Sequence, residues 1–291
     1  MSRASVPKLM LFVLLATIPA AILRLTQEGP ALALQLLAGP LGALAGEALV
    51  RRSTASLKDG SALLTGWLLA LALPASAGAA LAALAGGLAI ALGKAPFGGL
   101  GRNPFNPAMV GYAARLLLVP LASVDGVSGA TPLAALASRE GLTLSEWVQA
   151  QPGPWGTGEG LALSLAFLAG GAALLLRRAI PWQAPAGFLL GLLGAAVLAY
   201  DGGGSQSAGH PLFHLFSGSA LFAAFFILPD PVSGAHTPPG RLAMGALAGA
   251  LTVLFRSQGP FPDGVAFAVL LANGAGPARD ALADGRRQAR A

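Results

Sequence analysis

The chain contains no cysteine and only three histidines. Without thiols it builds no disulfide, no thiolate zinc site and no cysteine-ligated iron–sulfur cluster, and three histidines are too few for a haem-rich electron carrier. No glycine-rich dinucleotide fingerprint follows a strand, so NAD binding by this chain alone is not expected. Charge is also scarce: charged residues make up 10% of the chain and hydrophobic residues 55%. So few polar groups cannot clothe a water-facing surface, and the solvent must be largely lipid. The net charge of +6 does not signal nucleic acid, because the basic residues are scattered over short connections instead of forming one stripe. A chain of this kind that handles electrons needs an organic cofactor.

What the sequence does contain is a series of apolar runs separated by breakers. They fall at roughly 9–25, 31–50, 60–76, 77–93, 105–121, 161–176, 183–200, 211–228, 241–256 and 264–282, which predicts an all-α polytopic membrane protein of about ten transmembrane helices. The first run follows Arg3 and Lys8 and has the look of a signal peptide, but comparable runs recur to the end, so it reads as a retained span. The whole of 1–291 is expected to form one integral membrane domain, with spans 1–5 over 9–121, an extramembrane loop over 122–160, spans 6–10 over 161–282 and a tail at 283–291. Placing the amino terminus in the cytoplasm puts all of the 18 basic residues inside except Arg24, Arg115, Arg139 and Arg256, as the positive-inside rule requires. The 122–160 loop then faces the extracytoplasmic side, and both termini are cytoplasmic.

An internal duplication is suggested by two short matches. Gly60-Ser61-Ala62-Leu63 pairs with Gly218-Ser219-Ala220-Leu221, and Pro104-Phe105 pairs with Pro260-Phe261. With five spans per half, the second half would insert inverted relative to the first.

Polar residues near or within the apolar runs are the candidate site residues. Loops rich in proline and glycine at membrane depth mark cavities or pockets, because their backbone groups must find partners away from water. Gly98–Pro107, Leu228–Gly240 and Gln258–Gly264 are the densest. Their Asn103, Asn106, Asp230 and Asp263 are placed to bind a cofactor ring, to line an ion path or to cap helices; Asp263, directly before an apolar run, is expected to cap the last helix. Arg115 lies inside the fifth run, where a charge needs a partner, a water-filled cavity, an anionic ligand or a route to the interface. His210 and His214 share one face near the outer boundary but have no evident third metal ligand. No catalytic or metal-ligating residue is assigned.

The loop Asp125-Gly126-Val127-Ser128-Gly129-Ala130-Thr131-Pro132-Leu133 presents one hydroxyl, on Thr131, on a glycine- and proline-shaped turn. It resembles the flavinylation motif D-x-x-S-G-A-T, in which a flavin transferase joins FMN through its phosphate to the threonine. Gly98-Gly99-Leu100-Gly101-Arg102-Asn103-Pro104-Phe105-Asn106-Pro107-Ala108-Met109-Val110-Gly111-Tyr112 is similar to a signature of the D subunit of the Rnf electron-transport complex. Phe225–Ser233 and Pro262–Asn273 match the same family in the same order, so the resemblance runs from about Pro7 to Asp280.

The resemblance implies a membrane subunit that couples electron transfer between ferredoxin and NAD to movement of sodium ions or protons. It implies covalent FMN on Thr131, with Asp125, Ser128, Gly129 and Ala130 presenting that residue to the transferase; Arg115, near the outer end of its apolar run, is then placed to pair with the flavin phosphate, since a guanidinium suits phosphate geometry. Expected partners are the other Rnf membrane subunits, an extracytoplasmic flavoprotein subunit, the transferase and the lipid. A second, noncovalent flavin such as riboflavin is left open. The related B subunit of the sodium-pumping NADH:quinone oxidoreductase carries the same type of motif but usually a long amino-terminal extension, where only about eight residues precede the first run here. A flavin-free secondary transporter is the reading from a different class, since inverted repeats and broken helices suit it equally.

Overall fold

A computed structural model describes residues 6–51, 59–118, 133, 158–202, 207–259 and 263–275. Among the described residues the secondary structure is helical, without a strand, which agrees with the expected all-α class. We label the helices α1 (Val6–Glu28), α2 (Pro30–Arg51), α3 (Ser61–Ala72), α4 (Gly78–Gly93), α5 (Pro107–Leu118), α6 (Gly158–Leu176), α7 (Gln183–Leu198), α8 (Pro211–Phe216), α9 (Pro238–Gln258) and α10 (Val265–Gly274). Among the described residues four stretches are long and apolar enough to cross a membrane: α1, Pro30–Val50, Ala75–Phe97 (α4 with its flanking 3₁₀ turns) and α9. The remaining apolar helices are shorter, and each lies within or across one of the runs read from the sequence.

Two boundaries differ from the sequence reading for local reasons. The run 60–76 stops being helical at Ala72, because Leu73 is extended and precedes Pro74, whose ring disfavours helical geometry in the residue before it. The run 211–228 reads as one continuous helix and is instead broken. α8 ends at Phe216, Ser217 is extended, Gly218 takes a left-handed φ of 63°, and the chain restarts as a single turn Ala220–Phe222 that passes into a π-helical turn Ala223–Ile227.

The chain forms two compact units, residues 1–129 with 169–179, and residues 130–168 with 180–291. In the first unit α2 lies along α4, and α3 and α5 pack on that pair. The closeness of α2 and α4 comes from missing side chains. A Cβ built on Gly42 would overlap the backbone of Ala83, and one on Gly86 would come 2.4 Å from the Gly39 carbonyl oxygen. In the second unit α7 lies along α9 in the same manner, with Gly187 and Gly191 against the carbonyls of Leu242 and Ala246, and Gly245 and Gly249 against those of Ala184 and Phe188. Hydrocarbon gives no hydrophobic drive between helices, so association rests on such backbone-close packing.

The ends of short helices are closed by buried side chains instead of water. The carbonyls of Leu71 and Leu73 at the end of α3 accept bonds of 2.6 and 3.2 Å from the Arg24 guanidinium. Gln35 Nε2 donates to the carbonyls of Ala70 and Leu73 at 2.9 and 3.1 Å. Arg24 is itself held by Glu28, whose carboxylate also accepts from the Ala75 amide. These contacts satisfy carbonyls that a helix terminus leaves free.

The α7–α9 contact yields a direct test. Gly191→Ala should lower the unfolding temperature of the detergent-solubilised protein, in keeping with an overpacking cost of about 1–3 kcal/mol. Gly194→Ala, where an added Cβ meets nothing within 4 Å, should leave it unchanged or slightly raised; equal behaviour of the two variants would refute the close approach.

Candidate functional site

Among the described residues, each unit contains a buried ionic cluster at a glycine–serine corner, and these two clusters are built alike. In the first, Gly60 has a left-handed φ of 74° and hands the chain to α3 at Ser61. The Ser61 amide and hydroxyl donate to Asp59 Oδ1 at 2.8 and 2.6 Å. Lys94, at the end of α4, donates from Nζ to Ser61 Oγ and to Glu47 Oε2 of α2, both at 2.6 Å. Lys94 is 2% exposed and Glu47 is 0% exposed.

In the second unit Gly218 again precedes a serine. The Ser219 amide and hydroxyl donate to Asp263 Oδ2 at 2.8 and 2.5 Å. Arg256, near the end of α9, bonds Asp263 Oδ1 through Nε and Nη2 at 3.2 and 3.1 Å, and reaches the carbonyls of His214 and Ser217 at 2.6 and 2.9 Å. Asp263 therefore does not cap α10, as its position in the sequence suggested. The residue before α10 is Gly264, with no side-chain cap, and the Asp263 carboxylate turns back to neutralise a buried guanidinium, which outweighs one capping bond.

The asparagines act within the backbone. Asn103 Nδ2 donates to the Phe105 carbonyl at 3.1 Å, and Asn106 Oδ1 accepts from the amides of Ala108 and Met109 at 3.1 and 3.3 Å, which makes it the N-cap of α5. Asp230 closes its own turn by accepting from Ser233 Oγ at 2.7 Å and the Val232 amide at 3.1 Å. His210 Nδ1 accepts from the Leu212 amide, and His214 Nε2 lies 2.8 Å from the Ala208 carbonyl. Among the described residues no group of three potential metal ligands comes together.

Arg115 is the exception. It is 1% exposed, in the last turn of α5, and none of its three guanidinium nitrogens has a hydrogen-bond partner among the described residues. Asp125, Ser128, Gly129, Ala130 and Thr131 lie outside the described residues. Leu133, two positions beyond Thr131, is described and is buried. Its Cδ1 occupies the space where a Cβ on Gly218 would stand, a point also 2.8 Å from Asp263 Oδ2 and 2.9 Å from Arg256 Nη2. Leu133 is thus anchored beside the Arg256–Asp263 pair.

Reading the sequence identifies Arg115 as an unusual intramembrane charge but misses the Glu47–Lys94 pair. The signal is present, because Glu47 is the only acidic residue in α2, and an ionisable group within an apolar helix is a site candidate by default. Lys94, from its place in the sequence, carries only a topological role. Replacing Glu47 by Gln should strip Lys94 of its counter-charge and cost about 3–5 kcal/mol, whereas Glu47→Leu with Lys94→Met should cost much less, as expected for a buried pair. A double-mutant cycle on the unfolding of the detergent-solubilised protein measures this, and additive effects would contradict the pairing.

Comparison with known proteins places the chain in one family. The profile described as NQR2, RnfD, RnfE family matches residues 1–287. A Pseudomonas paraeruginosa protein, named as the D subunit of an ion-translocating oxidoreductase complex, is 43% identical over 306 residues, covering 94% of this chain and 89% of its own length. Proteins of the same name from Cellvibrio japonicus and Klebsiella pneumoniae are each 38% identical, covering 93% and 91% of this chain and 87% and 90% of their own.

Proposed function

The chain belongs to the NQR2, RnfD, RnfE family, and from that premise we propose that it is the D-type membrane subunit of an ion-translocating oxidoreductase complex and carries FMN as a phosphoester on Thr131. It acts as a multi-pass bacterial membrane subunit within an assembly, coupling electron transfer between ferredoxin and NAD to passage of sodium ions or protons. The 122–160 loop faces the extracytoplasmic side, where a flavin transferase modifies Thr131 and an extracytoplasmic flavoprotein subunit exchanges electrons with it. Bound there, the flavin supplies the redox chemistry that a chain without cysteine lacks.

The observation that carries this reading is the seat of Leu133. A hydroxyl bearing a bulky anionic group must be presented from a firm support if electrons are to pass over a fixed distance, and Leu133 is fixed by packing at Gly218 beside a cluster in which every polar atom of Arg256 is engaged. Asp125, Ser128, Gly129 and Ala130 are assigned to presenting Thr131 to the transferase. A tether also keeps the flavin at fixed stoichiometry, where an exposed noncovalent flavin would be lost by dilution. Asn103 and Asn106, whose amides shape the turn before α5, serve the site by holding that turn.

The two units support a duplicated architecture. Each begins its broken or short third segment with a left-handed glycine followed by a serine whose amide and hydroxyl meet one carboxylate oxygen, and each ties that serine or its carboxylate to a basic residue near the end of its fourth long segment. An inverted repeat with ten spans accounts for both clusters.

Thr131→Ala should insert and assemble yet show no flavin fluorescence on a denaturing gel and no electron transfer through the complex, while Thr131→Ser, which keeps a hydroxyl, should retain part of both. Flavin remaining covalently bound in the alanine variant would refute the attachment. A wild-type chain without flavin, made with the transferase, would instead favour the transporter reading.

A further inference from the structure

Arg115 is a positive charge with five N–H donors inside an apolar helix, and nothing among the described residues of its own unit answers it. The acidic residues described in that unit are Glu28, Glu47 and Asp59. Glu28 is bonded to Arg24, Glu47 to Lys94, and Asp59 to Ser61. No acidic residue occurs between Lys94 and Leu118. The other buried basic groups among the described residues, Arg24, Lys94 and Arg256, are each in an ion pair. Arg115 shares a helix face with Gly111 one turn earlier, and Gly111 lies against Ala85 and Ala89 of α4, so the guanidinium is on the side of α5 that packs inward. Burying a cation without an acceptor is strongly unfavourable, and such groups in native proteins usually mark a missing ion or ligand.

We propose that Arg115 is a binding residue for a phosphate-type oxyanion in the first unit. Phosphate fits better than carboxylate because the guanidinium offers donors on all three nitrogens; a carboxylate occupies one fork with two coplanar oxygens, whereas a phosphate group carries four tetrahedrally placed oxygens, two of them non-bridging even in a diester, and can accept from the fork and from the remaining edge. The phosphate can belong to a lipid headgroup, to the tethered flavin, or to free phosphate. The flavin source rests on the function proposed above; the other two do not.

The test uses the whole complex, co-produced with its flavin transferase and purified in detergent, with the subunit as wild type, Arg115→Gln, Arg115→Lys or Thr131→Ala. Unfolding temperature is followed as purified, after delipidation, after return of phosphatidylglycerol, and with inorganic phosphate against chloride at equal ionic strength. Wild type should exceed Arg115→Gln by several degrees, and Arg115→Lys should recover part of the gap. A gap abolished by Thr131→Ala identifies the flavin phosphate. A gap lost on delipidation and restored by phosphatidylglycerol identifies a lipid headgroup, and one that appears only with inorganic phosphate identifies the free ion.

The sign makes the test sharp, since removing a cation that has no ligand should stabilise the protein. Arg115→Gln at or above wild type in every condition overturns the proposal. So does a gap that persists unchanged without flavin, lipid or phosphate, which would mark plain packing loss. Intact mass of the wild-type subunit is read separately: absence of flavin there sinks the attachment to Thr131 and leaves the lipid and free-phosphate sources standing.

Discussion

In hydrocarbon no water stands ready to satisfy a polar atom, so each charge and each free helix end must be answered by the protein itself. Much of this structure follows from that demand. The α3 terminus, left open where Leu73 and Pro74 break the helix, is closed by Arg24 and Gln35 from neighbouring helices. Arg24 then needs Glu28, and Glu28 in turn holds the Ala75 amide. In the second unit the break at Gly218 frees the carbonyls of His214 and Ser217, which Arg256 takes up while paired with Asp263. Breaks that would be prohibitive in lipid become fixed corners.

Small residues supply the complementary half of the scaffold. Where glycine faces glycine or alanine, as between α2 and α4 or between α7 and α9, helix backbones touch and the pairs become stiff. Stiff pairs define where short and broken segments sit, and the Gly218 corner in turn provides the seat for Leu133. Packing therefore reaches the candidate cofactor site through only a few residues, which is why one added methyl group at a helix contact or at the corner has consequences beyond its size.

The sequence made the class and most helix positions legible because lipid selects for composition over tens of residues, a signal that survives local irregularity. It also exposed Arg115, whose isolation is visible in one dimension. The partners of buried charges were not legible, since Lys94 and Glu47 are 47 residues apart and meet only through the α2–α4 contact. Asp263 reads as a cap because capping is judged from adjacent residues, whereas its choice of Arg256 and Ser219 depends on the break at Gly218. That break is hidden inside an apolar run in which a single glycine between two serines carries little periodic signal. The motif around Thr131 was legible from its residues alone, and its local structure falls outside the described part of the chain.

The central claim is that this lipid-embedded scaffold carries a flavin on one hydroxyl. The most direct measurement is peptide mass spectrometry on the subunit isolated from the complex made with its transferase. Trypsin should release Leu116–Arg139, bounded by Arg115 and Arg139. The account predicts that this peptide carries the mass of FMN less one water, with fragment ions locating it on Thr131; the unmodified peptide as the dominant species would contradict it.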